Sequence, residues 1–215
     1  MGKAENTKDV PETIIKKITC HLKCHYSPNN SWTNEVWGLT VSGDEVFSCS
    51  DDATLRCWSI PERRMLSIAS LNQVENPDKN KAKKTPFITV EKDKKTRDFV
   101  ESSKGRSVAI SPDRKFIVVG CKDGRVKIFN YNSANHEMSL KVTFKHAKEW
   151  ISDIKFGYNL LLVGSHDNAI YAYDYDPDTG EFKRKYRPMK KHSSYITHLD
   201  VSRDSCYLQS TCGAY

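Results

Sequence analysis

Three places in this chain set reactive side chains next to one another. Ser165-His166-Asp167 offers a hydroxyl, an imidazole and a carboxylate in a row, His192-Ser193-Ser194 repeats the imidazole–hydroxyl pairing, and Cys20-His21-Leu22-Lys23-Cys24-His25 places two thiols among two imidazoles. The first two have the residue types of acyl transfer, in which a base activates a serine and a carboxylate orients the base. Adjacency argues against that chemistry, because catalytic triads assemble from distant positions and consecutive side chains in a turn point apart. No Gly-rich phosphate loop, metal-ligand helix or nucleophile elbow accompanies them. In the third tract three residues separate the cysteines, where haem attachment wants two, and a zinc site needs two further ligands at a defined spacing that no nearby pair supplies. Strand residues with a capping histidine fit the tract better, so the sequence points to no catalytic residue, no metal ligand and no cofactor.

The elements that carry these residues repeat. Gly164-Ser-His-Asp-Asn-Ala-Ile-Tyr-Ala-Tyr173 follows the apolar run Leu160 to Val163, turns at Asp167-Asn168 and leaves through branched and aromatic residues. Two such runs around an Asp-Asn pair predict an antiparallel hairpin, since Asp and Asn tolerate positive φ and bond their own backbone. The pattern recurs at Phe116 to Phe129 and at Val46 to Trp58. In each copy an aromatic residue stands six positions after the turn aspartate: Asp52 and Trp58, Asp123 and Phe129, Asp167 and Tyr173. The aspartates are 71 and 44 residues apart, one repeat plus an insertion and then one repeat, for a blade period of about 40–45 residues.

Three copies with one aspartate-to-aromatic offset, each preceded by small residues, resemble the WD40 family. The resemblance implies an all-β fold of four-stranded antiparallel propeller blades, here about three full blades with partial terminal ones. It also implies a bracing role for Asp52, Trp58, Asp123, Phe129, His146, Ser165, Asp167, Tyr173 and His192, in which the turn aspartate bonds a histidine leading into the blade and a serine of the second strand. Gly164 to Tyr173, His192 to Asp200, Glu35-Val-Trp-Gly-Leu39 and the closing Gly213 and Tyr215 are similar to the echinoderm microtubule-associated-protein-like family. That family's fused propellers form a tubulin-binding module. The chain departs from its pattern at Ala214, where an acidic residue is usual, and at Lys145 and Lys191, where a glycine precedes the histidine.

The expected organisation is a disordered tail at 1–13, an upstream outer strand and first blade at 14–71, a basic and mobile insertion at 72–104, a second blade at 105–146, a third at 147–191, and the start of a fourth at 192–215. At a blade period of about 40–45 residues, a closed propeller needs roughly 250 or more, so the 215 residues read as a fragment whose open edges favour self-association. The 38 % hydrophobic content contains no run long enough for a membrane span, and Asn6 stands where a myristoylation signal wants Ser or Thr. Seven cysteines, an odd number scattered through strands, suit a reducing compartment such as the cytoplasm. Cys49 and Cys57, on neighbouring strands, read as small buried hydrophobes rather than a redox pair.

The net charge of +7 is concentrated in two tracts. Glu75 to Arg106 holds ten Lys or Arg against six acids, including Lys79, Lys81, Lys83, Lys84, Lys92, Lys94 and Lys95, and Lys183, Arg184, Lys185, Arg187, Lys190 and Lys191 face a single acid, Glu181. Clustered cations attract acidic partners over a Debye length, although a solvated loop and an edge strand protected by Lys explain them as well. Few aromatics interleave with these tracts, which disfavours nucleic acid. The expected partners are therefore tubulin and microtubules or other proteins, met by a non-catalytic module in the cytoplasm and on the cytoskeleton.

Overall fold

A computed structural model describes residues 35–73 and 103–214. The tail at 1–13, the upstream strand, the Cys20–His25 tract and the insertion cations Lys79 to Lys95 lie outside the described residues. Those that are described contain strands and no helix. Four sheets follow one another along the chain. The first comprises β1 (Val36–Ser42), β2 (Glu45–Ser50), β3 (Thr54–Ser59) and β4 (Arg64–Ser70). The second comprises β5 (Gly105–Ile110), β6 (Phe116–Cys121), β7 (Arg125–Asn132) and β8 (Glu137–Lys145). The third comprises β9 (Ile151–Phe156), β10 (Leu160–Ser165), β11 (Ile170–Tyr175) and β12 (Phe182–Arg184), and the fourth is the pair β13 (Ile196–Val201) and β14 (Leu208–Cys212). Every sheet is an antiparallel meander in chain order.

The turn between the second and third strands is built the same way three times. After Asp52, Asp123 and Asp167 the backbone turns left-handed, at Ala53 (φ 59°), Gly124 (φ 80°) and Asn168 (φ 64°). Asn and Gly take that conformation readily, whereas Ala53 adopts it at a steric cost. Asp52 and Asp123 stabilise their turns by accepting the N–H two residues on, from Thr54 at 2.9 Å and Arg125 at 3.0 Å.

A second repeated feature starts each blade. Each first strand has an irregular register at its beginning, between Val36 and Gly38, Gly105 and Ser107, Ile151 and Asp153, and Ile196 and His198. Just ahead of it one backbone bond recurs, from Asp51 to Glu35 (3.1 Å), Lys122 to Lys104 (2.8 Å), His166 to Trp150 (2.8 Å) and Gly213 to Tyr195 (3.0 Å). A bulge sharpens twist and bends a strand, and here it falls at the start of each strand that packs against a neighbouring sheet.

The sheets pack through these strands: β1 against β5, β5 against β9, and β9 against β13. Three hydrophobic clusters fill the seams. Phe47, Leu55 and Phe129 anchor the first, Ile128, Ile151 and Tyr173 the second, and Leu162, Ile196 and Leu199 the third. Burying each such side chain contributes about 1.5–3 kcal/mol. Each seam closes on a small residue set against a larger one. Cys49 of β2 meets Gly105 of β5, but in the next two seams the glycine lies on the other side, Gly120 against Ile151 and Gly164 against Ile196. A Cβ on Gly120 would stand 2.3 Å from Ile151 Cγ2, so the close approach excludes a side chain there. On β1, Trp37, Leu39 and Val41 share one face and are about half exposed or more.

Candidate functional site

In the first sheet the indole N–H of Trp58 donates to Ser48 Oγ at 2.8 Å. The cross-strand pairs Val46 with Trp58, Ile117 with Phe129 and Leu161 with Tyr173 put Ser48, Val119 and Val163 at one equivalent station. Ser210 holds that station in the fourth sheet and lies 2.7 Å from His192 Nε2. Where the station is a serine, an indole or an imidazole therefore bonds it. In the third sheet it is Val163, which offers no hydroxyl.

That replacement explains a departure from the expected bracing. His146 does not bond Asp167: its Nδ1 lies 2.8 Å from the hydroxyl of Tyr173, and its ring tilts against Tyr173 and stacks on Phe144. Asp167 Oδ2 instead accepts the backbone N–H of Lys148 at 3.0 Å and the hydroxyl of Tyr171 at 2.6 Å, while Oδ1 is buried without a hydrogen-bond partner. Ser165 bonds the backbone N–H of Asp167 at 3.2 Å, not its carboxylate, and donates to the carbonyl of Glu149 at 3.3 Å. Burial and the nearby charge of Arg184 lower the pKa of His146, which favours neutral imidazole. Burial raises the Tyr173 hydroxyl to about 12. In the other two sheets Asp52 accepts Arg56 at 3.1 Å, Asp123 pairs with Arg125, and Phe129 is fully buried with no polar atom to offer.

The three adjacent groups Ser165, His166 and Asp167 thus face three environments. His166 stacks between Trp150 (5.2 Å between centroids) and Tyr195 (4.6 Å), and makes no relay with its neighbours. Cys49 and Cys57 are both buried free thiols with different surroundings. Burial, with Cys121 nearby, raises the Cys49 pKa, whereas Cys57 lies 3.7 Å from the Tyr131 hydroxyl and is pushed up by burial to about 11. Burial thus favours the thiol over the thiolate in both.

A brace that sequence spacing did not reveal crosses the sheets beside the turn that joins β2 to β3. The guanidinium of Arg106, on β5, lies 4.4 Å from the Trp37 ring of the first sheet and 4.6 Å from the Trp150 ring at the start of the third. Its charge is met by Asp51, Nη1 to Oδ1 at 2.6 Å, in an ion pair whose two side chains are only 5 % and 8 % exposed. Arg106 and Trp37 occupy the same irregular position in their strands, and aligning the repeats on that position would have been the available signal.

The cations of the second tract are all exposed and do not share one electrostatic state. Lys183 pairs with Glu181 at 2.6 Å, Lys185 pairs with Asp174 at 2.7 Å, and Arg184 donates to the carbonyl of Tyr186 at 3.3 Å. Among the described residues Arg184, Arg187, Lys190 and Lys191 form no ion pair, and they carry the tract's unneutralised charge. No described helix is long and apolar enough to cross a membrane.

Successive four-stranded meanders packed through their first strands define a WD40-type β-propeller. The solved WD40 repeats of RRP9 superpose with a TM-score of 0.56 at 16 % identity, covering 80 % of this chain and 43 % of that one. The structure of U3-55K superposes with a TM-score of 0.55 at 18 % identity and the same coverages. Residues 36–215 match the family model for the echinoderm microtubule-associated protein second beta-propeller, and the chain belongs to that family. The ciliary WD repeat-containing protein ctxp80 of Euplotoides octocarinatus is 33 % identical over all of this chain and 31 % of its own length. Echinoderm microtubule-associated protein-like 4 of Xenopus laevis is 32 % identical over 85 % of the chain and 16 % of its own length. Echinoderm microtubule-associated protein-like 1 of Homo sapiens is 31 % identical over 85 % and 19 %. The chain therefore spans under a third of the length of these relatives, as a propeller domain suited to protein interaction.

Proposed function

We propose that this chain is a non-catalytic binding module of a cytoplasmic, cytoskeleton-associated protein, and that its partner is tubulin in the microtubule lattice. The match of residues 36–215 to the propeller family carries the reading. The charge supports it, because a net +7 with Arg187, Lys190 and Lys191 exposed suits an acidic protein surface. We place the second-tract contact at Arg187, Lys190 and Lys191, since Lys183 and Lys185 are paired with acids and Arg184 is engaged by the Tyr186 carbonyl and the Tyr171 ring; the insertion cations Lys79 to Lys95 would supply the other contact.

Co-sedimentation of the full chain with stabilised microtubules across a salt series tests this reading. Pelleting should weaken as salt shortens the Debye length from about 10 Å at 0.1 M, and should drop further when Arg187, Lys190 and Lys191 are changed to Glu. Absence of pelleting at low salt would leave a scaffold for other protein partners.

A further inference from the structure

Glu45 begins β2, Cys57 lies on β3, and His136 sits in the turn joining β7 to β8 in the next sheet. Their carboxylate, thiol and imidazole atoms all lie within 4.8 Å of one another, with Glu45 and Cys57 buried and His136 half-buried. They converge on the hydroxyl of Tyr131, which is 2.5 Å from Glu45 Oε1, 3.1 Å from His136 Nδ1 and 3.7 Å from Cys57 Sγ. Arg114 pairs with the other carboxylate oxygen and so leaves Oε1 turned to the cluster. A cleft of about 420 Å³ between the two sheets opens from solvent onto the Glu45 and His136 end of the cluster, with Arg114 and Pro61 in its walls.

We propose that Glu45, Cys57 and His136 form a site for a thiophilic divalent cation of the zinc class at the seam of the first two sheets. One thiolate, one imidazole and one carboxylate from three separate elements make a donor set zinc accepts, at about 2.0–2.3 Å from the metal, with the fourth position left to water from the cleft or to Tyr131. A soft sulfur donor among so few oxygens selects against calcium and magnesium. Binding forms a metal–sulfur bond and breaks the Cys57 S–H bond, with the proton passing through the cleft to solvent. The cation would replace the Tyr131 hydroxyl as the centre on which the three groups converge, and would tie the first sheet to the second.

The test is a cobalt(II) titration of the full chain in which Cys20, Cys24, Cys206 and Cys212 are replaced by Ser, so that the remaining thiols are Cys49, Cys57 and Cys121. One equivalent of cobalt should produce a thiolate charge-transfer absorption band, and zinc should bleach it. Cys57→Ser should abolish the band. His136→Asn should weaken cobalt by at least about 10-fold, the lower end of what loss of a supporting residue around a metal costs. Asn tolerates the left-handed backbone at this position (φ 58°), so this variant decides the matter even if Cys57→Ser does not fold. No band in the parent chain, a band that survives Cys57→Ser, or cobalt affinity unchanged by His136→Asn would each overturn the site.

Discussion

His146 Nδ1 and the hydroxyl of Tyr173 lie 2.8 Å apart, and the two rings tilt against each other at 34°. The contact joins the segment leading into the third blade to that blade's third strand across 27 residues of chain. Tyr173→Phe keeps the ring and removes the bond, and should cost about 1 kcal/mol, the usual net value of one such bond. Asp167→Ala should cost about 1–3 kcal/mol because it strands the part-buried Tyr171 hydroxyl and releases the exposed Lys148 N–H to solvent. Since the two side chains do not bond each other, the losses should add in the double variant, as measured by urea unfolding. Strong coupling would mean that His146 and Asp167 act as one unit after all.

Arg106 should be highly sensitive to substitution among the described cations. Arg106→Ala leaves Asp51 buried without its partner, and breaking a buried ion pair by removing one side costs about 3–5 kcal/mol. Arg106→Lys keeps the charge but loses the guanidinium that contacts both the Trp37 and Trp150 rings, and should recover only part of that stability. Tryptophan fluorescence followed through unfolding reads both outcomes. A Lys variant as stable as the parent would show that the stacking contributes nothing.

Acid should loosen the third blade. Burial, aided at His146 by Arg184, lowers the pKa of both His146 and His166 from the ordinary 6.5. Each therefore binds fewer protons folded than unfolded, so their contribution is full above pH 6.5 and is lost as the pH falls through that value toward the folded pKa. The melting temperature should fall between about pH 7 and pH 5, and a His146→Gln, His166→Gln variant should show a flatter dependence. Equal slopes in parent and variant would remove the histidines from the account.

The repeating hairpins were legible because their signals are local: strand residues of period two, an aspartate, and a residue that tolerates positive φ, as at Asp123-Gly124 and Asp167-Asn168. The bracing contacts were less legible because they depend on cross-strand register. That Ser48, Val119, Val163 and Ser210 share a station follows only from which residues pair, and it is this station that sends His146 to Tyr173. The convergence of Glu45, Cys57, Tyr131 and His136 unites positions up to 91 residues apart, and no spacing within one repeat could have announced it. The insertion cations, prominent in the sequence, lie outside the described residues.

The glycine that lies on one side of the first seam and on the other side of the next two also works as an address. Consecutive repeats of similar sequence risk docking out of turn during folding. If the first sheet skipped its neighbour and met the third, Cys49 would be driven against Ile151 where Gly105 belongs, and the seam would be overfilled. If the second sheet met a copy of its own first strand, Gly120 would face Gly105 across a void. Steric fit at a single pair thus marks the first seam off from the two that follow it, quite apart from how tightly any one of them holds.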